Sequence, residues 1–75
     1  MNLSEAKLNS KLTINSVNVQ NEKTKIRLME LGLVEGCEIV VERKSIFKKT
    51  LLIVFCATCF TLKDNLAKEI EVEYA

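Results

Sequence analysis

The chain has no histidine and no tryptophan, and only two glycines, Gly32 and Gly36, among its 75 residues. Without His it cannot build a Ser-His-Asp or Cys-His pair, a His-based zinc site or a haem held by His, which removes most hydrolytic chemistry. With so little Gly it lacks the material for the Gly-rich loops that cradle phosphates, so a nucleotide-driven enzyme is not expected. Long apolar runs are missing too. The longest, Leu51 to Ala57, has seven residues, against the roughly 20 that an α-helical membrane span requires. The start, Met1-Asn2-Leu3-Ser4-Glu5, has neither the basic region nor the apolar stretch of a signal peptide, and a cytoplasmic location is the expectation. Cys37, Cys56 and Cys59 are too few, and odd in number, for a secreted disulfide scaffold, so reduced thiols are expected.

What is present describes a compact small unit. Apolar residues make up 48% of the chain and charged residues 28%, a balance that belongs to folded domains rather than disordered segments. A chain of this size buries only about 60% of its unfolded surface, which leaves room for one domain, residues 1–75, of modest stability. The net charge of +1 sums uneven parts: Met1 to Glu22 is neutral, Lys23 to Lys49 holds seven cations against four anions, and Asp64 to Ala75 holds one against four. This is far from the clustered basicity of non-specific nucleic-acid binders, and nucleic acid is not an expected partner.

Along the chain, Ser4 is positioned to cap a turn over Glu5 to Leu8. Leu12 to Val19 then reads as a strand whose alternation slips by one residue, which predicts a bulge near Asn15 or Ser16. The segment from about 22 to 31 is rich in helix formers and stops at Gly32, and its Leu28, Met29 and Leu31 are expected in the core. Leu33 reads as a buried plug, and Val34-Glu35-Gly36-Cys37 as a turn with Gly where a type II turn needs positive φ. Cys37 to Arg43, Leu51 to Cys56, Cys59 to Leu62 and Ile70 to Tyr74 read as strands, Ala57-Thr58 as a hairpin turn, and Asp64 to Lys68 as one helical turn. About five short strands with one short helix predict a mainly β fold, a small closed or nearly closed barrel that hides its sheet edges.

Lys25-Ile26-Arg27-Leu28-Met29-Glu30-Leu31-Gly32-Leu33-Val34-Glu35-Gly36 resembles the R-L-x-(D/E)-(L/M)-G-L-x-P-G segment of the FeoA family, small cytosolic accessory proteins of bacterial ferrous iron transport. Phe60-Thr61-Leu62-Lys63 and Ala67-Lys68-Glu69-Ile70-Glu71-Val72 are similar to that family's x-A-L-R and A-x-x-I-x-V segments. The resemblance implies an SH3-like β-barrel that is not an enzyme. It also implies binding to the cytosolic part of FeoB, the membrane GTPase and permease of ferrous iron uptake, and at most a peripheral relation to the membrane. It supplies no catalytic residues, and no cofactor is expected. Glu35 stands where the family has Pro, and Ala57 where it usually has Gly, so the third hairpin must use another turn type or accept strain.

Three clusters are candidate sites. Cys56-Ala57-Thr58-Cys59 becomes a cross-strand thiol pair if Ala57-Thr58 is the turn; structural thiols are preferred, and a soft transition-metal or redox site is the alternative. With Leu51, Ile53 and Phe55 inward, Leu52 and Val54 leave an apolar outer stripe on strand 51–56, suited to a partner or to self-association, unless a chain terminus covers it. Arg43, Lys44, Lys48 and Lys49 surround Ile46 and Phe47, a basic loop with an apolar tip that could meet an acidic protein, RNA backbone or lipid headgroups. The preferred reading is a solvated loop with Ile46 or Phe47 folded back over the barrel. This loop and the turn formed by Leu31, Gly32, Leu33 and Gly36 are the expected partner contacts, and a small RNA-binding barrel using the same cations is the competing function.

Overall fold

The computed structural model describes every residue from Met1 to Ala75. Its strands are β1 (Lys11–Val17), β2 (Glu38–Ser45), β3 (Thr50–Phe55), β4 (Thr58–Lys63) and β5 (Ile70–Tyr74), with helices α1 (Glu22–Glu30) and α2 (Asp64–Ala67). All five strands join one antiparallel sheet in the order β4-β3-β2-β1-β5. The terminal strands β4 and β5 are linked by α2. The fold is mainly β, as the strand spacing predicts.

Alternation places one face of each strand inside. Leu12 and Ile14 of β1, Ile39 and Val41 of β2, Leu51, Ile53 and Phe55 of β3, Leu62 of β4, and Ile70 and Val72 of β5 all enter one core cluster of 16 buried hydrophobic residues. No polar or charged residue is buried with them, so the core carries no unpaired polar penalty. Two bulges curl the sheet around this cluster. One falls between Ile14 and Ser16 where β1 meets β5, at the predicted phase slip. The other falls between Val41 and Arg43 where β2 meets β3.

Strand β1 ends at Val17, two residues short of the expected limit. Val19 lies beyond the ladder yet is buried. The leader also differs from expectation: a single 3-10 turn covers Leu3–Glu5, and Asn2, not Ser4, precedes it. The Asn2 amide donates to Glu5 Oε1 at 3.0 Å, while the Glu5 amide donates to the Asn2 carbonyl at 3.1 Å. Leu3 and Ala6 are buried, and the Val72 amide donates to the Met1 carbonyl at 2.9 Å. The leader thus covers the outer side of β5, an edge that would otherwise be open for pairing.

Candidate interaction surface

Helix α1 is where sequence and structure diverge most usefully. Asn21 caps it by accepting the Thr24 amide at 3.1 Å, and Gly32 ends it with φ of 96°, the left-handed conformation that an L-residue adopts only with strain. Leu28 is buried as expected, but Met29 and Leu31 are about half exposed, which corrects their placement in the core. Nine helical residues offer one narrow inward face, and Leu28 with half-buried Thr24, four residues apart, occupies it. Ile26 and Met29, three apart, share a different face and stand in solvent.

After Gly32 the chain turns sharply. Leu33 is fully buried, its amide bonded to the Leu28 carbonyl at 2.9 Å, so it is a core plug that lies beneath the surface. Val34 to Cys37 closes by the Cys37 amide to the Val34 carbonyl at 3.0 Å, with Gly36 at φ of 89°, as a type II turn requires. Val34 is left exposed. It lines a shallow depression of about 340 Å³ with Val17, Met29 and Leu33, and Lys25 and Glu35 stand at its rim. Ile26, Met29, Leu31 and Val34 are exposed, and of these Met29 and Val34 line this depression together. Ile26, Met29 and Val34 were not among the expected partner contacts; the available signal was that Ile26 and Leu28 cannot both face inward on one short helix.

The β3–β4 hairpin turns one residue earlier than the spacing suggests. Phe55 pairs with Thr58, so Cys56 and Ala57 are the turn residues, with φ of 48° and 61°. Positive φ at both central positions is the type I′ requirement, met here without Gly. As a result Cys59 lies opposite Val54, and the expected Cys56–Cys59 cross-strand pair does not form. Phe55 faces the core in either register; the observed one sets it diagonal to Phe60, which pairs with Ile53, and the two rings meet edge-to-face at 5.5 Å. All three thiols are free, and no group of three or more Cys, Asp or Glu side chains converges. Cys37 is the half-buried one. Burial pushes its thiol above the ordinary cysteine value, and charge at Cys56 and Glu38 acts in the same direction, the opposite of what an activated thiol needs.

Leu52 and Val54 point outward as expected. Both are half-buried, shaded across the sheet by their partners Arg43 and Thr61, and Val40 and Cys59. The leader packs instead on β5 and α2.

The β2–β3 connection is also tighter than predicted, because Lys44 and Ser45 belong to β2 and only residues 46–49 form the turn. Lys44 is committed locally: its ammonium donates to the carbonyls of Ser4 and Ala6 at 2.9 Å each. Ile46 and Phe47 do not fold back. They are 88% and 100% exposed, because the last strand pair, Ser45 with Thr50, holds the turn clear of the barrel.

A curled antiparallel sheet of five strands around one apolar core defines a small SH3-like domain. A family model described as the FeoA domain matches residues 1–74, and the chain belongs to that family, which is linked to ferrous iron transport. The FeoA protein of Chlorobium tepidum has the same fold with a TM-score of 0.90, at 30% identity over 99% of this chain and 70% of its own. The FeoA of Stenotrophomonas maltophilia, complexed with zinc and described as a prokaryotic SH3 domain protein and candidate ferrous iron transport activating factor, is 33% identical over 97% of this chain and 89% of its own, with a TM-score of 0.83. A FeoA-like protein of Clostridium acetobutylicum is 26% identical over 99% and 85%, with a TM-score of 0.82. No curated protein sequence matches the chain.

Proposed function

We infer that this chain is a cytoplasmic, non-catalytic adaptor of ferrous iron uptake, one domain over residues 1–75, that docks on the cytosolic part of FeoB and modulates it. The observation that carries this reading is the exposed apolar surface of Ile26, Met29, Leu31 and Val34, set on a barrel whose interior polar groups are all absent or satisfied. Exposed apolar groups close together in the chain, with Met29 and Val34 sharing a depression edged by Lys25 and Glu35, are the ordinary form of a protein-binding patch. Leu31, Gly32 and Gly36 frame it, and Leu33 supports it from below. Iron in this reading is the partner's cargo, and the adaptor holds no resident cofactor. No helix is long and apolar enough to cross a membrane, so the transporter would supply the membrane-spanning part.

An NMR titration of isotopically labelled protein with the isolated cytosolic domain of FeoB, with and without guanine nucleotide, tests it. Saturable shifts centred on residues 26–36, removed by the double substitution I26S/M29S, are expected. A spectrum unchanged at high concentration of that domain would sink the docking reading.

A further inference from the structure

The β2–β3 hairpin presents its two most exposed apolar side chains side by side at a convex tip. Phe47 is fully exposed and Ile46 nearly so, so nothing in this chain covers either. Around them stand Arg43, Lys48 and Lys49, and residues 43–49 contain no acid. The molecule's two ion pairs lie elsewhere, between the Met1 amino group and Glu71 and between Lys68 and Asp64, so all three cations keep unneutralised charge. Glu42 at the β2 bulge adjoins Arg43, and Asp64 stands beside Lys49, its amide donating to the Lys49 carbonyl at 2.8 Å while its carboxylate pairs with Lys68 at 3.6 Å.

The tip is held firmly. The Lys48 amide donates to Ser45 Oγ at 3.3 Å, and the ladder runs without a break from Ser45–Thr50 through Lys44–Leu51 to Arg43–Leu52. Beside it lies a surface cavity of about 380 Å³ lined by Arg43, Lys44 and Lys48 with the hydroxyls of Ser45, Thr50 and Thr61. Lys44's ammonium is held by the leader carbonyls, which leaves two cations, Arg43 and Lys48, with hydroxyl donors and no carboxylate as a seat for a phosphate group.

These features select among surfaces that attract cations. A single ring cannot make the stacking platform that a single-stranded nucleic acid uses. A convex apolar tip requires a preformed pocket in a protein partner, whereas the headgroup and acyl boundary of a bilayer deforms around it and places basic side chains at phosphate level. We propose that the β2–β3 hairpin is a peripheral membrane contact: Ile46 and Phe47 enter the interfacial zone of an anionic leaflet while Arg43, Lys48 and Lys49 meet lipid phosphates, one of which sits in the cavity beside the hairpin. The contact stands on the hairpin alone and is independent of docking on FeoB. Two apolar side chains and three cations make it weak and reversible.

The chain has no tryptophan, so F47W reports from this one position. Vesicles of phosphatidylglycerol and phosphatidylcholine in equal parts, at millimolar lipid, should shift its emission to the blue. Vesicles of phosphatidylcholine alone should not, and high salt should reverse the response. In sedimentation of the otherwise unaltered chain, F47S should weaken vesicle partitioning about tenfold, and K48S/K49S by about fivefold for each cation removed. Circular dichroism of each variant should match the parent. Unchanged F47W emission with anionic vesicles overturns the proposal, as does an equal response to zwitterionic ones. Sedimentation lost in K48S/K49S but untouched by F47S shows surface attraction without insertion and overturns it too. Glycerol phosphate alone reproducing the blue shift would assign the cavity to a free phosphate ester, and an RNA oligomer or acidic protein reproducing it without lipid would assign the tip to that partner; either result rejects the lipid contact.

Discussion

Strand β3 ends in two hairpins that solve the same reversal differently. At its Phe55 end the turn has two residues, Cys56 and Ala57, both with positive φ and neither glycine. Left-handed conformations in L-residues cost about 1–2 kcal/mol each, and this turn sets the register in which the Phe55 and Phe60 rings, diagonal across the hairpin, meet edge-to-face. At the Thr50 end the turn spans residues 46–49, with positive φ only at Lys49 and a side-chain hydroxyl, Ser45 Oγ, helping to close it. That turn delivers nothing to the core and leaves Ile46 and Phe47 in solvent. A tight turn is shaped by what its flanking strands must bury, whereas a longer one frees its side chains for contact with other molecules.

The comparison breaks first at Phe55. F55A should destabilise the fold by about 3–5 kcal/mol, the range for truncating a buried aromatic residue, measured by urea unfolding; a loss below about 1 kcal/mol would mean that the tight hairpin is strained for some other reason. Gly32 sharpens the same point, since a Cβ there would stand 3.4 Å from the Phe55 ring in a backbone of positive φ, while a Cβ at Gly36 would meet nothing within 4 Å. Both G32A and G36A should lose about 1–2 kcal/mol from backbone strain, and any excess for G32A reads the Phe55 contact directly.

Lys44 joins the quieter hairpin to the leader. K44M removes its two hydrogen bonds to the carbonyls of Ser4 and Ala6 and should lose about 1–2 kcal/mol, less than two buried charged bonds because water competes at this site. Faster amide exchange in the first six residues would mark the same loss. In the opposite direction, C56N/A57G installs side chains suited to a type I′ turn and should raise stability by about 1 kcal/mol. No gain in thermal midpoint would refute the claim that this turn is strained. The smallest effect belongs to the other tip: F47S and I46S should each change stability by less than about 0.5 kcal/mol, as for exposed positions generally.

Periodicity alone made much of the fold legible. The alternation of Ile39 with Val41, of Leu51 with Ile53 and Phe55, and of Ile70 with Val72 identified the inward residues, all of them buried. The phase slip after Ile14 located the first bulge. Gly32 and Gly36 marked the helix stop and the turn because only positions of positive φ give glycine an advantage there. The stretch from Lys25 to Gly36 further carried the family resemblance that the match over residues 1–74 supports.

What stayed hidden depends on competition between distant groups. Whether the hairpin turned at Ala57-Thr58 or at Cys56-Ala57 was settled by the pairing of Phe55 with Thr58, and moving the turn by one residue shifted the pairing by two, taking Cys59 from Cys56 to Val54 and separating the thiols that the spacing had placed together. Which apolar residues of α1 reached the core was decided by the single face the sheet could accept, leaving Ile26 and Met29 outside. The commitment of Lys44 to carbonyls about 40 positions earlier in the chain could be known only once the leader had packed. Sequence determined which residues wanted burial and where the chain could turn, since those are properties of side chains and local φ. Tertiary structure alone decided which of them were denied burial, because a core of fixed volume admits only the side chains that its packing can hold.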